Sequence, residues 1–277
     1  MPAVHRERAL AKLTRTLAVT GRRDDGYHLI RSEMVTLDLG DDLEIAAAPD
    51  GVAGPGELEV VDAVAWVGPG SAAAAAAVPT GPDNLVLRAL ALARRRASVR
   101  LVKRIPPGAG LGGGSADAAA ILRWAGVTDP LLAAALGADV PFCVTGGRAI
   151  VSGIGERIEA LGTDRACYVL FTPALFVSTA LVYRAFDEVG PPVGSEGPVN
   201  DLERAALAVE PRLARARDVL ADATGRRPVL AGSGSTWYVA CDESEGSALR
   251  QDVVAAVAAD GGRAAVSVGR TVGAYAP

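Results

Sequence analysis

Large aromatic side chains are scarce: Phe, Trp and Tyr together make up 4% of the 277 residues. Half of the residues are nonetheless hydrophobic, so a sizeable core must be assembled mainly from Ala, Val and Leu. Cysteine is almost absent. Cys143, Cys167 and Cys241 lie far apart with no Cys-x-x-Cys, which excludes a disulfide framework and points to a reduced, cytoplasmic protein. No apolar run reaches the length of a membrane span, and the Ala72–Ala77 run is too short and too weakly apolar. The first eight residues, Met1 to Arg8, are too charged for a signal peptide. An excess of positive charge is missing as well: the formal net charge of −4 argues against a dedicated nucleic-acid binder. Any phosphate site must then rely on backbone dipoles and a few cations. Lysine is the rarest cation. Of 28 basic residues only Lys12 and Lys103 are lysines, so each can mark a place that wants a compact ammonium. There is no internal repeat of solenoid period, and the length suits two domains or one large one.

Glycine is what the chain does have in concentration. Five of its 32 glycines fall between Gly108 and Gly114. Residues 98–104 alternate and read as a strand, and the Ala-rich residues 115–124 read as a helix with Ser115 at its cap or first turn. Three consecutive glycines carry a large entropic cost on folding, so a bare backbone has a use there. A glycine loop that feeds a helix start presents free N–H groups and the positive end of the helix dipole to an anion. The residues satisfy Gly-x-Gly-x-x-Gly, yet a dinucleotide site wants the glycines directly off a strand, and here Pro106 and Pro107 intervene. No Gly-Lys-Ser/Thr closes a Walker A loop, and a protein-kinase glycine loop sits in a hairpin.

Around this unit the pattern predicts a strand over 4–20, a polar turn over 21–28, and two strands over 29–39 and 43–47 separated by a turn at Gly40. A strand at 57–61 and helices over 84–96 and 129–136 follow, with Gly137 closing the last in C′ style. After Gly162 the pattern restarts. Strands are expected at 167–172, 228–231, 236–241 and 264–268, and helices at 179–189, 200–209, 211–223 and 244–259. The Gly/Pro-rich residues 190–198 read as an exposed loop. This gives an α+β chain with a boundary near residue 162.

Pro106-x-x-x-Gly110-Leu-Gly-Gly-Gly-Ser-Ala-Asp117 resembles the phosphate loop of the small-molecule kinases that include galactokinase, homoserine kinase, mevalonate kinase and phosphomevalonate kinase. Further blocks narrow the resemblance. Ala11-Lys12-Leu13, Val19 through His28, Pro82-Asp-Asn-Leu85, Leu136 through Phe142, Asn200-Asp-Leu-Glu203 and Gly232 through Thr236 are similar, in order, to the 4-diphosphocytidyl-2-C-methyl-D-erythritol kinase family.

The resemblance implies a two-domain small-molecule (GHMP-type) kinase fold with its active site in the interdomain cleft. Residues 1–162 would form an ATP-binding and catalytic domain like ribosomal protein S5 domain 2, and 163–277 a ferredoxin-like domain. It implies transfer of the ATP γ-phosphoryl, with Mg²⁺, to the 2-hydroxyl of a cytidine-diphosphate-linked polyol, in the non-mevalonate isoprenoid pathway. It makes Asp139 the catalytic carboxylate and Lys12 its supporting cation. Pro106, Gly108, Ala109, Gly110, Leu111, Gly112, Gly113, Gly114, Ser115 and Asn84 border ATP. Tyr27, His28, Thr14, Tyr183, Gly232 and Ser233 meet the substrate. The implied partner is a small molecule, without nucleic acid or membrane, and the chain is expected to be a monomer or weak homodimer; the Mg²⁺ ligands are not assigned.

Local readings stand beside these roles. Asp139 can simply N-cap a helix containing Pro141, Lys12 can be a solvent-facing strand lysine, and Asn84 can be a helix cap. Tyr27 can pack on its own turn, Tyr183 can pack against Phe186 along a helix, and Gly232–Ser235 can be a plain hairpin turn. The chain departs from the family at Thr14, where Asn usually follows Ala-Lys-Leu, and at Arg15, where an apolar residue is common. The segment between the glycine loop and Gly137 is also short, as though a helix had been trimmed. A same-fold kinase for another small alcohol, a non-catalytic nucleotide-binding homologue, and a nicotinamide-dependent dehydrogenase are the readings left open.

Overall fold

A computed structural model describes residues 4–49, 56–69, 78–191 and 200–275. The Ala72–Ala77 run and residues 192–198 lie outside the described residues.

One strand organises the N-terminal half. β1 (Val4–Arg22) turns at residues 23–27 and pairs antiparallel with β2 (His28–Ala47). On its other edge β2 receives three partners in succession. β6 (Arg148–Gly153) pairs with Ile30–Val35, β11 (Ala264–Val272) with Thr36 and Leu37, and β5 (Ala97–Lys103) with Asp42–Ala47. β3 (Glu57–Asp62) adds a parallel strand outside β5, and β7 (Arg157–Ala160) closes the β6 edge. The two strands expected at 29–39 and 43–47 are therefore one. Gly40 is no turn: a Cβ there would stand 2.9 Å from the Ala9 carbonyl oxygen, so glycine serves the close approach of β1. Asp41, expected in that turn, is fully buried and accepts the backbone N–H groups of Arg104 and Ile105.

Helices α1 (Leu85–Leu92), α2 (Gly113–Trp124), α3 (Pro130–Ala134) and α4 (Val140–Thr145) belong to this half. α2 buries seven consecutive residues, Ala116 to Leu122, which is why all of them but Asp117 are apolar. Its alanines let the helix sit close against Val86, Ala89 and Leu90 of α1 and against Leu43, Ile45 and Leu101 of the sheet. α1 ends sooner than the predicted 84–96, capped at Ala93 and followed by Arg94 at φ 52°.

In the C-terminal half β8 (Cys167–Pro173) lies between β11 and β10 (Trp237–Cys241), with β9 (Val229–Leu230) outside β10 and the short β4 (Trp66–Val67) on β11. Every β8 residue is buried, as expected of a strand covered on both faces. Helices α5 (Thr179–Val189), α6 (Glu203–Val209), α7 (Arg212–Thr224) and α8 (Gly246–Asp260) supply one cover, burying Phe171, Val182, Phe186, Leu213, Leu220, Trp237 and Val253. α6 starts later than predicted, because Asn200 stays outside the helix and accepts the Leu202 N–H.

The halves meet in an apolar seam: Leu13, Leu37 and Leu111 pack with Leu170, Ala231 and Tyr238. The chain end also crosses back. Tyr275 accepts the Leu10 N–H through its hydroxyl, and the Arg123 guanidinium lies 3.6 Å from its ring centre. Among the described residues no helix is long and apolar enough to cross a membrane.

Candidate active site

The glycine loop is held by backbone groups from two directions. β1 breaks register with β2 between Leu10 and Lys12. Such irregularities re-aim a side chain, and here the freed Lys12 N–H donates to the Leu111 carbonyl of the loop at 3.0 Å. From the other half, Thr236 N–H donates to the Ala109 carbonyl at 3.1 Å. Gly110 sits at φ +76°, and a Cβ on it would come within 2.4 Å of the Ala231 carbonyl oxygen. The two glycine-containing loops, distant in sequence, thus press backbone to backbone, and Gly232–Ser235, within the β9–β10 hairpin connection, lies against Gly110 and Lys12.

The loop ends in helix α2, whose N-cap is Gly112 at φ +68° with Ser115 in the first turn. The N–H groups of that first turn have no intrahelical acceptors and carry the positive end of the helix dipole. They open on a cavity of about 520 Å³ lined by Pro106 to Gly110, Gly112 to Ser115, Asn84, Lys103, Asp117, Asp139 and Phe176. Leu111, expected beside ATP, instead turns its side chain into the seam and is 1% exposed. Asn84 has both roles: its side chain caps α1 through the Val86 N–H and its surface borders the cavity.

Asp139 occupies the N-cap position of α4, yet its side chain makes no capping hydrogen bond. Its carboxylate faces Lys12 instead, Oδ2 to Nζ 3.2 Å. The Lys12 side chain is only 6% exposed, so it is not a solvent-facing strand lysine. Its Nζ also donates to Thr14 Oγ1 at 3.1 Å, which shows what the departure at Thr14 does: a short buried hydroxyl steadies the ammonium. A Cβ on Gly232 would lie 3.6 Å from the same Nζ. Arg15 points elsewhere, pairing with Glu33 and Asp164.

Gly112 is required by the lysine itself. A Cβ there would stand 2.7 Å from Lys12 Cγ, in a backbone conformation that disfavours any L side chain. Gly112→Ala is expected to lower stability by about 1–2 kcal/mol and to cut turnover by roughly tenfold or more by displacing Lys12. Thermal unfolding and steady-state kinetics on one preparation check both; full turnover would show that Lys12 tolerates displacement.

Lys103 borders the cavity, but its charge is engaged beneath it. It lies 3% exposed between Asp41 and Asp117 and contacts both carboxylates. Burial pushes the Asp117 carboxyl up to about 7; the Lys103 ammonium opposes that rise and Asp41 adds to it. A Cβ on Gly113 would be 3.2 Å from Lys103 Nζ, so this ion cluster underlies the first residue of α2.

Tyr27, His28, Tyr183 and Ser233, expected to meet substrate, lie outside the lining of this cavity. Tyr27 is 63% exposed, and its N–H donates to Asp25 Oδ1 within the turn. His28 stacks on Tyr183 at 4.8 Å and 24°, meets Phe186 edge-on, and shares a 2.6 Å hydrogen bond between Nε2 and Asp187 Oδ1. Burial first, then the nearby Asp139 charge, pushes the Tyr183 hydroxyl up to about 12. One ring face of Tyr183 is therefore already covered by His28, and among the described residues no ring contact joins Tyr183 to Tyr27. Ser233 Oγ shares a hydrogen bond with Thr179 Oγ1 at 2.8 Å.

Three contributors escape a sequence reading. Phe176, 67% exposed, reaches over Gly108 from the C-terminal half, where a Cβ on that glycine would lie 3.2 Å from the ring. Asn200 donates to the Leu230 and Gly232 carbonyls and so shapes the second loop. Asp187 fixes His28. Only Asn200 carried a signal, by lying within a motif block.

Comparisons with known proteins identify the family. Residues 84–147 match the family described as GHMP kinases N terminal domain. The chain is 39% identical over 255 residues to a 4-diphosphocytidyl-2-C-methyl-D-erythritol kinase of Paracoccus denitrificans (strain Pd 1222), covering 86% of this chain and 87% of that protein. A crystal structure of 4-(cytidine 5'-diphospho)-2C-methyl-D-erythritol kinase superposes with a TM-score of 0.69 at 33% identity, covering 97% of this chain and all of the other. The L. major mevalonate kinase structure, 14% identical with a TM-score of 0.62, shares the fold, covering all of this chain and 99% of that one.

Proposed function

The chain belongs to the 4-diphosphocytidyl-2-C-methyl-D-erythritol kinase family, and on that premise we propose how its residues divide the work of phosphorylating a polyol hydroxyl. It is a kinase that transfers the ATP γ-phosphoryl to the 2-hydroxyl of 4-diphosphocytidyl-2-C-methyl-D-erythritol in the methylerythritol phosphate route to isoprenoids. The glycine loop and the first turn of α2, Gly108 to Ser115, cradle the phosphates with backbone N–H groups, while Pro106, Asn84 and Phe176 wall the nucleotide. Asp139 accepts the proton of the attacking hydroxyl. Lys12 lies on the carboxylate and offsets charge near the transferred group, and Thr14 holds Lys12 in place. The Lys12–Asp139 contact carries this reading, because it unites the uncapped carboxylate of α4 with the re-aimed lysine of β1.

Among the described residues no cluster of three or more His, Cys, Asp or Glu side chains could hold a metal. That donor set fits Mg²⁺ brought in on the nucleotide, since this ion takes most of its ligands from phosphates and water. The Ser115 hydroxyl, on the first turn at the cavity, would be its protein ligand, and the ion would supply charge neutralisation on the phosphate oxygens.

Tyr27 offers an exposed ring to the cytosine, and His28 offers polar groups to its edge, on a floor made by Tyr183 and Phe186. We place the division between the nucleotide half and the second half at residue 162, with each half contributing one glycine loop. Asp187 keeps the His28 ring oriented. Asp187→Ala is expected to raise KM for the cytidine substrate by roughly tenfold, leaving kcat and the KM for ATP unchanged. A coupled ADP-release assay with the cytidine substrate and with cytidine-free polyols tests the whole reading: release with the cytidine substrate alone supports it, and equal rates with both would remove the base-recognition role.

A further inference from the structure

Far from the cleft, the fold brings together two cysteines that stand 74 positions apart in the chain. Cys167 opens β8 and Cys241 closes β10, and the register places them directly opposite each other in the antiparallel pair. Opposite residues in such a pair have Cα atoms about 4.5–5.5 Å apart and side chains on one face, inside the Cα separation of about 4.4–6.8 Å that a disulfide spans. Both sulfurs crowd one point: a Cβ on Gly246 would lie 3.2 Å from Cys167 Sγ and 3.6 Å from Cys241 Sγ. Gly246, the first residue of α8, leaves them room. Beside the pair is a surface cavity of about 340 Å³ bordered by Cys167, Cys241, Arg165, Glu243 and Arg270, which gives a small charged reagent a path to the sulfurs. Cys167 is 4% exposed, Cys241 is more open, and Cys143 is buried in the other half.

We propose that Cys167 and Cys241 form a covalent modification site that takes low-molecular-weight disulfides and closes to an intramolecular cross-strand disulfide. Cys241, the more accessible, loses its proton, attacks one sulfur of the small disulfide and expels one thiolate, leaving a mixed disulfide. Cys167 then loses its proton, attacks the Cys241 sulfur and expels the second thiolate. One S–S bond breaks and one forms; the two cysteine protons end on the two released thiols. Burial, followed by the hydrogen bond with Cys167, pushes the Cys241 thiol up to about 12, so Cys241 rests as a thiol at neutral pH and its attack is faster in alkaline solution.

The test exposes the full-length protein to excess oxidised glutathione at alkaline pH, then denatures it and alkylates free thiols before mass spectrometry. The expected product is a monomer carrying one alkyl group where the untreated protein carries three, with a Cys167–Cys241 linked peptide about 2 Da lighter than the sum of its reduced halves, and full reversal by dithiothreitol. In Cys167→Ser the expected product is a persistent glutathione adduct on Cys241. Three alkylatable thiols after treatment, a glutathione adduct on the wild type that never resolves, or a disulfide that includes Cys143 would each overturn the proposal.

Discussion

Asp139→Asn is expected to lower kcat by about 10²–10⁴-fold while leaving the affinity for ATP nearly unchanged. The amide keeps the shape of the carboxylate and an oxygen that can still accept from Lys12 Nζ, so the site should stay assembled around the 3.2 Å contact. What it loses is the capacity to take a proton. ATP affinity should survive because, on the proposed reading, the backbone of the glycine loop carries the nucleotide, and the two backbone hydrogen bonds that hold that loop do not involve Asp139. ADP release under saturating substrates measures the first effect and calorimetric titration of ATP the second. Lys12→Met should also lose turnover, and the double variant should be little worse than the poorer single one, because the two side chains act as a unit. A variant within tenfold of the wild-type rate would end the assignment of Asp139 as base.

The second large effect concerns stability. Lys103→Met is expected to destabilise the fold by about 3–5 kcal/mol, a large share of the roughly 5–15 kcal/mol that holds a typical domain together. Methionine fills a similar volume but removes the one ammonium set between the side chains of Asp41 and Asp117, which are 0% and 4% exposed. Asp41 retains the Arg104 and Ile105 N–H groups as donors; Asp117 Oδ1 has no partner even with the lysine in place. The damage should therefore concentrate on Asp117. Adding Asp117→Asn to Lys103→Met should recover most of the loss, because without the lysine the buried Asp117 carboxyl must take up a proton that the amide does not need, while Asp41 stays hydrogen-bonded. Urea denaturation of the three variants decides the matter; a double variant as unstable as Lys103→Met would show that packing, not charge, governs this place. Because the cluster underlies Gly113, the single variant should also raise KM for ATP.

Some of this was legible in the chain and some was not, for identifiable reasons. The strand–glycine loop–helix unit was legible because the backbone freedom it needs is written as glycine, and the helix that follows as a run of alanines. The restart after Gly162 and the order of strands and helices beyond it were legible from periodicity. The turn assigned to Gly40 failed because Gly and Asp are turn residues by local preference, whereas here one admits a neighbouring strand and the other meets a lysine 62 positions away. The pairing of Cys167 with Cys241 left no spacing signal, since only the register of β8 on β10 sets them opposite.

The sequence by itself determined the strand–glycine loop–helix unit and the kinase family, and it singled out Asp139 and Lys12 as candidates, because motif, spacing and composition are local properties of the chain. The tertiary structure alone decided that Asp139 turns from its helix cap to Lys12, that Gly112 exists to let that lysine pass, and that Gly110 presses against the second loop. It also decided that Lys103, though adjacent to the loop in sequence, serves the core beneath it. Each of these depends on the closeness of groups between 14 and 127 positions apart in the chain. Such distances are set by β-bulges, strand register and the packing of two halves along one apolar seam, and none of them is encoded within the few residues that a motif spans.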